Sequence, residues 1–320
     1  MTHEGIRAGT VIKPLRLRDF VEDRDGWIYA VSTYDNAERV GCTLRYVPDP
    51  SGDRVNPEGV RYRKADFEEA FRLVRRKKPS YAGRFLRIPV KDIRRVYKPE
   101  ERLGFCAGRD RRVRALAGLF SLPEGALGCT GSRLLGMESP ASDIDLVVYG
   151  RAFPTAQAIL REAVENGSVA GLSEEIWRTV YAKREPEISF EVFTLHERRK
   201  WNRGVIGGTY FDLLFTRSYG ELEGEPVSEG ERIRRMTVEA RVTDASLSFD
   251  SPAVYLVDHE VVDRIVSFTH TYSGQALAGE VVEACGVLEV HGADRWLVVG
   301  TTRTARGEYI ISRTLLGDEG

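Results

Sequence analysis

The sequence predicts an α+β protein made of three successive regions. In the first two thirds of the 320-residue chain, segments with helical periodicity are interspersed with segments of strand-like alternation. After a segment rich in Gly and Pro, residues 220–230, the pattern changes to short strands separated by turn residues. We therefore predict an α+β region in residues 1–100, a second domain in 101–225 and an all-β domain in 236–320.

In the first region, two strands and one helix can be placed. Residues 27–31 form an apolar run, and apolar side chains alternate over residues 40–46, as in a half-buried strand. Asp66 followed three residues later by Glu69 is typical of a helix N-terminus, and Pro79 marks the end of that helix.

The second region alternates between helices and strands. Helical spacing of apolar residues, together with capping residues, predicts helices over 110–120, 154–166 and 173–183. Apolar runs bounded by turns predict strands over 126–130, 144–149 and 209–216.

The third region is predicted to contain only strands, over residues 238–242, 253–257, 261–268, 281–290, 296–299 and 309–311. Many short strands with little helix are typical of a small closed barrel or a sandwich, and an OB-like barrel is one candidate. Residues 237–320 contain 13 acidic and 6 basic residues, a poor electrostatic match for a polyanion.

Charge is segregated along the chain. The net charge is −1, yet residues 61–114 contain 19 Lys or Arg and 7 Asp or Glu. Such a basic segment can form a binding surface for phosphates, and with equal weight it can be a solvated helix face.

Composition argues against several classes of protein. No run reaches the ~18–20 consecutive apolar residues of a membrane span, and the N-terminus lacks the apolar core of a signal peptide. The four cysteines form no Cys-x-x-Cys pair, so neither a zinc site nor a disulfide framework is expected. We predict a cytoplasmic protein that does not bind membranes.

Two aspartates stand at the start of an apolar strand. Asp143 and Asp145 are two residues apart, and this spacing places both carboxylates on one face of a strand. Their mutual repulsion changes sign when a divalent cation lies between them, and such pairs hold two Mg²⁺ ions about 3.5–4 Å apart for phosphoryl displacement. The alternative is a pair of surface aspartates that cap a loop.

Gly131 and Ser132 follow a predicted strand and open a turn. Glycine allows the backbone to approach a ligand closely, and exposed amides with a serine hydroxyl can hold a phosphate. Gly-Ser pairs are also common in turns that bind nothing.

A third carboxylate lies in a later strand. Asp212 is surrounded by apolar residues, where an ionised carboxylate is unfavourable unless it is paired or binds metal. A salt bridge to Arg217 or Arg203 is the alternative. Glu191 competes with Asp212 for the role, but Ser189 favours a helix that would remove Glu191 from the metals.

Together these features resemble the polymerase-β-like nucleotidyltransferase superfamily, whose pattern is a Gly-Ser turn, about ten residues, Asp-x-Asp on a strand and a later carboxylate. Gly131-Ser132 is followed by ten residues and then Asp143-Ile-Asp145. The resemblance covers residues 107–217, and the flanking regions resemble uncharacterised archaeal predicted nucleotidyltransferases.

The resemblance implies a fold and a chemistry. The fold is a small mixed sheet with helices on one side. Asp143, Asp145 and Asp212 would hold two Mg²⁺ ions, with Mn²⁺ as a substitute, and Gly131-Ser132 would hold the phosphates of a nucleoside triphosphate. A hydroxyl would attack the α-phosphate, and pyrophosphate would leave. Candidate contacts for the triphosphate, each of which can also be an ordinary surface cation, are Arg133, Lys200 and Arg203.

The sequence leaves three functions open for the protein. The first is nucleotide addition to an RNA or DNA end, the second is nucleotidylation of a protein or small molecule, and the third is nucleic-acid binding by an inactive core. A continuous basic groove leading to Asp143 would favour a polynucleotide, whereas charges that face away would favour a compact acceptor. The residues in question are Arg75, Arg76, Lys77, Lys78, Arg94 and Arg95.

Overall fold

A computed structural model describes residues 13–83, 86–222, 230–301 and 305–317. The protein is α+β, and in these residues its strands form three sheets accompanied by eight α-helices. Most of the predicted linker, residues 223–229, lies outside the described residues.

The first sheet is antiparallel and contains seven strands: β1 (Phe20–Asp23), β2 (Ile28–Val31), β3 (Arg39–Pro48), β4 (Arg54–Val55), β5 (Arg61–Lys64), β6 (Leu86–Pro89) and β7 (Ile93–Tyr97). Their order in the sheet is β4-β5-β3-β2-β1-β7, with β6 paired to β3. The predicted strands at 27–31 and 40–46 correspond to β2 and β3.

Helix α1 (Phe67–Lys77) covers one face of this sheet, with Ala70 and Val74 in the shared core. As predicted, Asp66 is its N-cap and accepts a hydrogen bond from the Glu69 amide at 2.8 Å. A second apolar cluster, which includes Tyr46 and Leu134, joins these strands to the segment around residues 134–137. The first sheet is therefore covered by its own helix and also attached to the central part of the chain.

The central sheet is mixed, in the order β10-β11-β9-β8, and only the β9–β11 pair is parallel. Its strands are β8 (Leu127–Cys129), β9 (Ile144–Tyr149), β10 (Arg203–Ile206) and β11 (Thr209–Thr216). The helices of this part are α2 (Leu103–Arg109), α3 (Arg111–Phe120), α4 (Gly131–Leu134), α5 (Ala152–Glu165), α6 (Glu174–Arg184) and α7 (Phe190–Arg198).

Alternation along β9 determines which face is apolar. Ile144, Leu146 and Val148 are buried in one core with residues of α2, α3 and α5, so these helices lie on one side of the sheet. Asp145, between the first two, points to the other side. The apolar pattern thus leaves the opposite face of the central sheet free for polar side chains.

The third sheet closes into a five-stranded barrel, since β12 pairs with both β13 and β15. The ring order is β12-β13-β14-β16-β15, with β14 and β16 parallel and β17 added beside β15. The elements are β12 (Glu231–Asp244), β13 (Ala253–Asp258), β14 (Arg264–Ser267), β15 (Val281–His291), β16 (Asp294–Val299), β17 (Tyr309–Ser312) and α8 (Arg313–Leu316).

Strand β12 begins at Glu231, seven residues before the predicted strand 238–242. Its first five residues, 231–235, are exposed, and most of them are charged. Backbone pairing with β15 extends through this part of the strand. Because the extension buries little apolar surface, the alternation that reveals a strand in a sequence is missing there.

A buried carboxylate joins the three sheets. Asp250, before β13, accepts hydrogen bonds from the Tyr34 hydroxyl and from Arg217 Nε, both at 2.7 Å. Tyr34 follows β2, Arg217 follows β11, and the Tyr34 hydroxyl also accepts from the Arg217 amide at 3.1 Å. These bonds fix the relative position of segments from all three sheets.

None of the helices in the described part of the chain has both the length and the apolar character needed to cross a bilayer.

We expect Asp250→Ala to lower the free energy of unfolding by about 3–5 kcal/mol, because it leaves the Arg217 guanidinium without its buried carboxylate. Urea denaturation measures this loss. Glu165→Ala is the matched control, since it breaks the exposed Arg161–Glu165 pair and should cost less than about 1 kcal/mol. Equal, small losses in both variants would contradict the role of Asp250 as a junction.

Candidate active site

Two of the predicted metal ligands are neighbours across the parallel strand pair. In the β9–β11 register, Asp145 lies directly beside Asp212. Neighbouring residues in register point to the same face of a sheet, so both carboxylates lie opposite the helical layer. Asp143 is exposed and immediately precedes β9. The structure thus places Asp145 beside Asp212, with Asp143 close enough to repel the charge of Asp145.

The Gly-Ser turn packs directly against Asp145. Gly131 has a φ of 70°, and a Cβ atom at this position would lie 2.6 Å from Asp145 Oδ2. The preceding residue is also fixed, because the Thr130 amide donates to the Asp145 carbonyl at 2.9 Å. Only glycine fits both the backbone conformation and the space, and Ser132 follows it on the first turn of α4.

The surroundings of Asp145 destabilise its charged form. Burial, followed by repulsion from Asp143 and Asp212, raises the pKa of Asp145 to about 7, and the positive charges of Arg18 and Arg45 act in the opposite direction. A divalent cation at this position would offset the repulsion. Carboxylate oxygens are the ligand type that a hard cation such as Mg²⁺ prefers.

Asp212 also forms a salt bridge, as the alternative interpretation suggested. Its Oδ1 accepts hydrogen bonds from Arg203 Nε and the Tyr210 hydroxyl, both at 2.8 Å. Across residues 13–83, 86–222, 230–301 and 305–317, no three His, Cys, Asp or Glu side chains stand close enough together to hold a metal. The second carboxylate oxygen, Oδ2, accepts no bond from any described residue and remains available.

Glu191 lies away from this group. It is exposed in the first turn of α7, and the helix begins at Ser189, whose hydroxyl accepts from the Val192 amide. The helical interpretation of this segment is therefore confirmed. The side chain is placed on the surface of a helix and not on the carboxylate face of the sheet.

The three predicted phosphate-binding cations are all more buried than ordinary surface residues, but only Arg203 contacts the carboxylates. Arg133 donates to the Asp143 carbonyl at 3.1 Å and to Asp110 at 2.6 Å, and so supports the segment before β9. Lys200 donates to Glu197 at 2.5 Å and to the Thr271 carbonyl at 3.1 Å. Burial among other cations lowers the pKa of Lys200 well below its usual value.

Cations that the sequence did not reveal also approach the carboxylates. Arg18 lies close enough to Asp145 and Asp212 to interact with both charges, and burial lowers its pKa. Its φ is 72°, its carbonyl accepts from the Thr130 hydroxyl at 2.8 Å, and its Nε is buried without a hydrogen-bond partner. A strained non-glycine residue beside a charged site is typical of functional positions.

Further positive charges surround the same face. Arg45 lies within electrostatic range of Asp145, and Lys64 lies within range of Asp143. Arg54 donates to the Ser142 hydroxyl at 3.4 Å, next to Asp143. No local motif could have identified these residues, because each comes from a different part of the first sheet.

The barrel also reaches this group of carboxylates and cations, which we call the cleft. His270 is exposed, and neighbouring atoms together with the positive charges of Arg18, Arg184 and Arg203 disfavour its protonated form. Together they lower its pKa to about 3, so the imidazole is neutral at physiological pH. Burial likewise lowers the pKa of Arg184 to about 10, with a further contribution from Arg203. The cleft is therefore lined by residues from all three sheets.

These features define a class of α+β protein in which an acidic triad on a mixed sheet lies in a basic cleft. The chain is 32% identical to the uncharacterised protein MJ1086 of Methanocaldococcus jannaschii over 334 aligned positions, which cover 92% of this chain and 98% of that protein. The chain belongs to the same family as this archaeal protein. No family model matches the chain. No solved structure matches it.

We expect Asp145→Asn to raise the melting temperature of the metal-free protein at pH 8. The folded-state pKa of Asp145, about 7, exceeds the ordinary value of 3.8, so the wild type loses stability as pH rises from about 4 to about 7, where the unfolded chain releases this proton and the folded protein retains it. The gain should be full above pH 7, shrink as pH falls toward 4, and vanish below about pH 3, where the carboxyl is protonated in both states.

Thermal scans in EDTA across this pH range measure the effect. Glu124→Gln, at an exposed position, serves as the control and should show no such dependence. A variant that is less stable than the wild type at pH 8 would contradict the repulsion inferred among the carboxylates.

Proposed function

We propose that the protein is a metal-dependent nucleotidyltransferase with a polymerase-β-like core. It transfers a nucleoside monophosphate from a nucleoside triphosphate to a hydroxyl acceptor, with release of pyrophosphate. The observation that carries the proposal is the parallel register of Asp145 and Asp212, with Gly131 against Asp145. This arrangement unites the Gly-Ser turn, the Asp-x-Asp pair and the later carboxylate at one position.

The carboxylates account for the metal requirement. Asp143, Asp145 and the free oxygen of Asp212 would hold Mg²⁺, which supplies Lewis-acid activation of the phosphate and neutralises the developing charge. The protein's own residues hold these carboxylates in place: Arg133 supports the Asp143 segment, and Arg203 orients Asp212. Positioning and charge neutralisation are the main requirements of phosphoryl transfer.

The cations of the cleft suit a triphosphate. Within the described part of the chain, Arg18, Arg45 and Lys64 have no salt-bridge partner, although each lies near other charged groups. Arg45 and Lys64 lie close enough to repel each other, and an anion bound between such like charges would relieve the repulsion. The phosphates of the nucleotide would supply that anion beside the Gly131-Ser132 turn.

For the acceptor, we propose an RNA or DNA end, on different grounds from those suggested by the sequence. Helix α1 carries Arg75 and Arg76 on the first sheet's outer face, and Lys78 is paired with Asp23 at 2.6 Å and Asp25 at 2.5 Å. Arg94 and Arg95 are likewise near carboxylates. Lys78, Arg94 and Arg95 are thus balanced by carboxylates within the protein, so they are not the grounds for the proposed acceptor.

A separate set of cations favours a phosphate-bearing acceptor. Arg45, Arg54 and Lys64 extend the positive charge of the cleft past Asp143, and Lys183 at the end of α6 lies near Lys64. The barrel, whose strand order with β14 beside β16 suits an OB-like fold, closes the other side of the cleft with His270. Nucleotidylation of a protein or small molecule is the second candidate.

We expect Asp145→Asn to reduce nucleotide transfer at least about 100-fold, because it removes a charged metal ligand without changing the size of the side chain. Incubation with each α-labelled triphosphate and Mg²⁺ or Mn²⁺, with RNA, DNA and protein acceptors offered in turn, measures transfer. Glu191→Gln, the competing carboxylate on α7, should retain full activity. A fully active Asp145→Asn protein would exclude Asp145 as a metal ligand.

We expect Arg18→Ala to lower kcat/KM for the triphosphate by roughly 10–100-fold, the loss of one charge-assisted contact of about 1.5–3 kcal/mol. Arg75→Ala removes an exposed arginine of α1 and should leave the reaction unchanged. Steady-state kinetics at varied triphosphate concentration measures both variants. Equal effects of the two substitutions would show that only net charge matters and that Arg18 has no specific role.

A further inference from the structure

A second charged cavity lies at the edge of the helical layer. Its volume is about 480 Å³, within the range of small-molecule sites. It is formed where α2 meets α3, beside the segment before β9 and the turn at Gly207. Six of its nine lining residues are charged: Arg109, Asp110, Arg111, Arg112, Arg133 and Glu138.

This cavity is separate from the acidic triad. Residues of α2 and α3 pack on the face of β9 that carries Ile144 and Leu146, whereas Asp145 points to the opposite face. A ligand in the cavity would therefore approach the central sheet from the helical side.

The lining leaves an excess of positive charge. Both carboxylate oxygens of Asp110 accept hydrogen bonds from arginines: Oδ1 from Arg112 Nε at 2.9 Å and Oδ2 from Arg133 at 2.6 Å. Glu138 Oε1 accepts from Arg109 at 3.2 Å. Arg111 is exposed at the first position of α3 and has no ion-pair or hydrogen-bond partner in the described residues. Four arginines thus face two carboxylates, and one arginine is entirely available.

We propose that this cavity binds a phosphate-bearing ligand, a free nucleotide or the 5′-phosphate end of a polynucleotide, with its phosphate on Arg111 and Arg109. Guanidinium groups donate in a planar fork that matches phosphate oxygens. Arg111 supplies the unpaired positive charge, and the volume of the cavity leaves room for the rest of a nucleotide.

The bound ligand would be connected to the acidic triad through Arg133. This residue lies in the cavity wall, directly follows Ser132 in the chain, and donates to the carbonyls of Ser142 and Asp143 at 2.8 and 3.1 Å. A ligand in the cavity would therefore act, through Arg133, on the turn that contains Ser132 and on the segment that contains Asp143. The binding proposal itself does not depend on the proposed nucleotidyl transfer.

Isothermal titration of the full chain carrying Asp145→Asn tests the proposal with that transfer removed. The probes are adenosine 5′-monophosphate, inorganic phosphate, and an RNA hexamer with or without a 5′-phosphate. We expect saturable binding of the monophosphate, weakened about tenfold by Arg111→Ala. Glu138→Gln, which keeps the shape of the cavity and removes a negative charge, should bind the monophosphate at least as tightly as the parent.

Arg76→Ala, an exposed and unpaired arginine on α1, is the matched control and should bind as tightly as the parent. Tighter binding of the 5′-phosphorylated hexamer than of the free nucleotide would assign the site to a polynucleotide end, and the reverse to a free nucleotide. No saturable binding of any probe, or equal losses in Arg111→Ala and Arg76→Ala, would overturn the proposal.

Discussion

The site depends on one constraint, the parallel pairing of β9 with β11. This register places Asp145 beside Asp212, two negative charges on a face from which water is largely excluded. Such an arrangement is unfavourable in isolation, and the fold holds it because Ile144 and Phe211, buried on the opposite face, fix the register. A slip of one residue would expose the apolar side chains and bury the carboxylates. The core therefore imposes the proximity that the chemistry would use.

The acidic triad is also connected to the barrel through a chain of charges. Arg203 bridges Asp212 and the fully buried Glu197, and Lys200 joins Glu197 to the Thr271 carbonyl in the turn that carries His270. On the other side, Arg18 is tied to Thr130 at the Gly-Ser turn. Buried charges of this kind are retained only when each partner is present. The geometry of the cleft is thus a property of the whole chain and not of the central sheet alone.

The sequence predicted the regular parts of this architecture well. Strands β9 and β11 coincide with their predicted limits, since each is a largely apolar run that contains one aspartate and is bounded by turn or charged residues. Ser189 correctly marked the start of α7 and kept Glu191 off the sheet. The helix and strand patterns depend on neighbours in sequence, which a single chain displays directly.

The cations of the cleft could not be predicted in the same way. Arg18, Arg45 and Lys64 stand in unrelated segments, and only the packing of the first sheet on the central one brings them to the carboxylates. Arg133 and Lys200 were found by their nearness to the motifs, yet both are buried in supporting salt bridges. Proximity along the chain identified charged residues but could not show where their side chains point.

The closed ring of the barrel has a consequence for association between molecules. Each of its five strands, β12 to β16, is hydrogen bonded to a neighbour on both sides over at least part of its length, but the charged first half of β12 pairs only with β15. Strand edges that are occupied cannot template another chain, and the open edge of β12 is highly charged, so the ring resists the edge-to-edge growth that leads to aggregation. The ring can carry exposed apolar residues such as Phe268 near the cleft without offering an open backbone edge beside them.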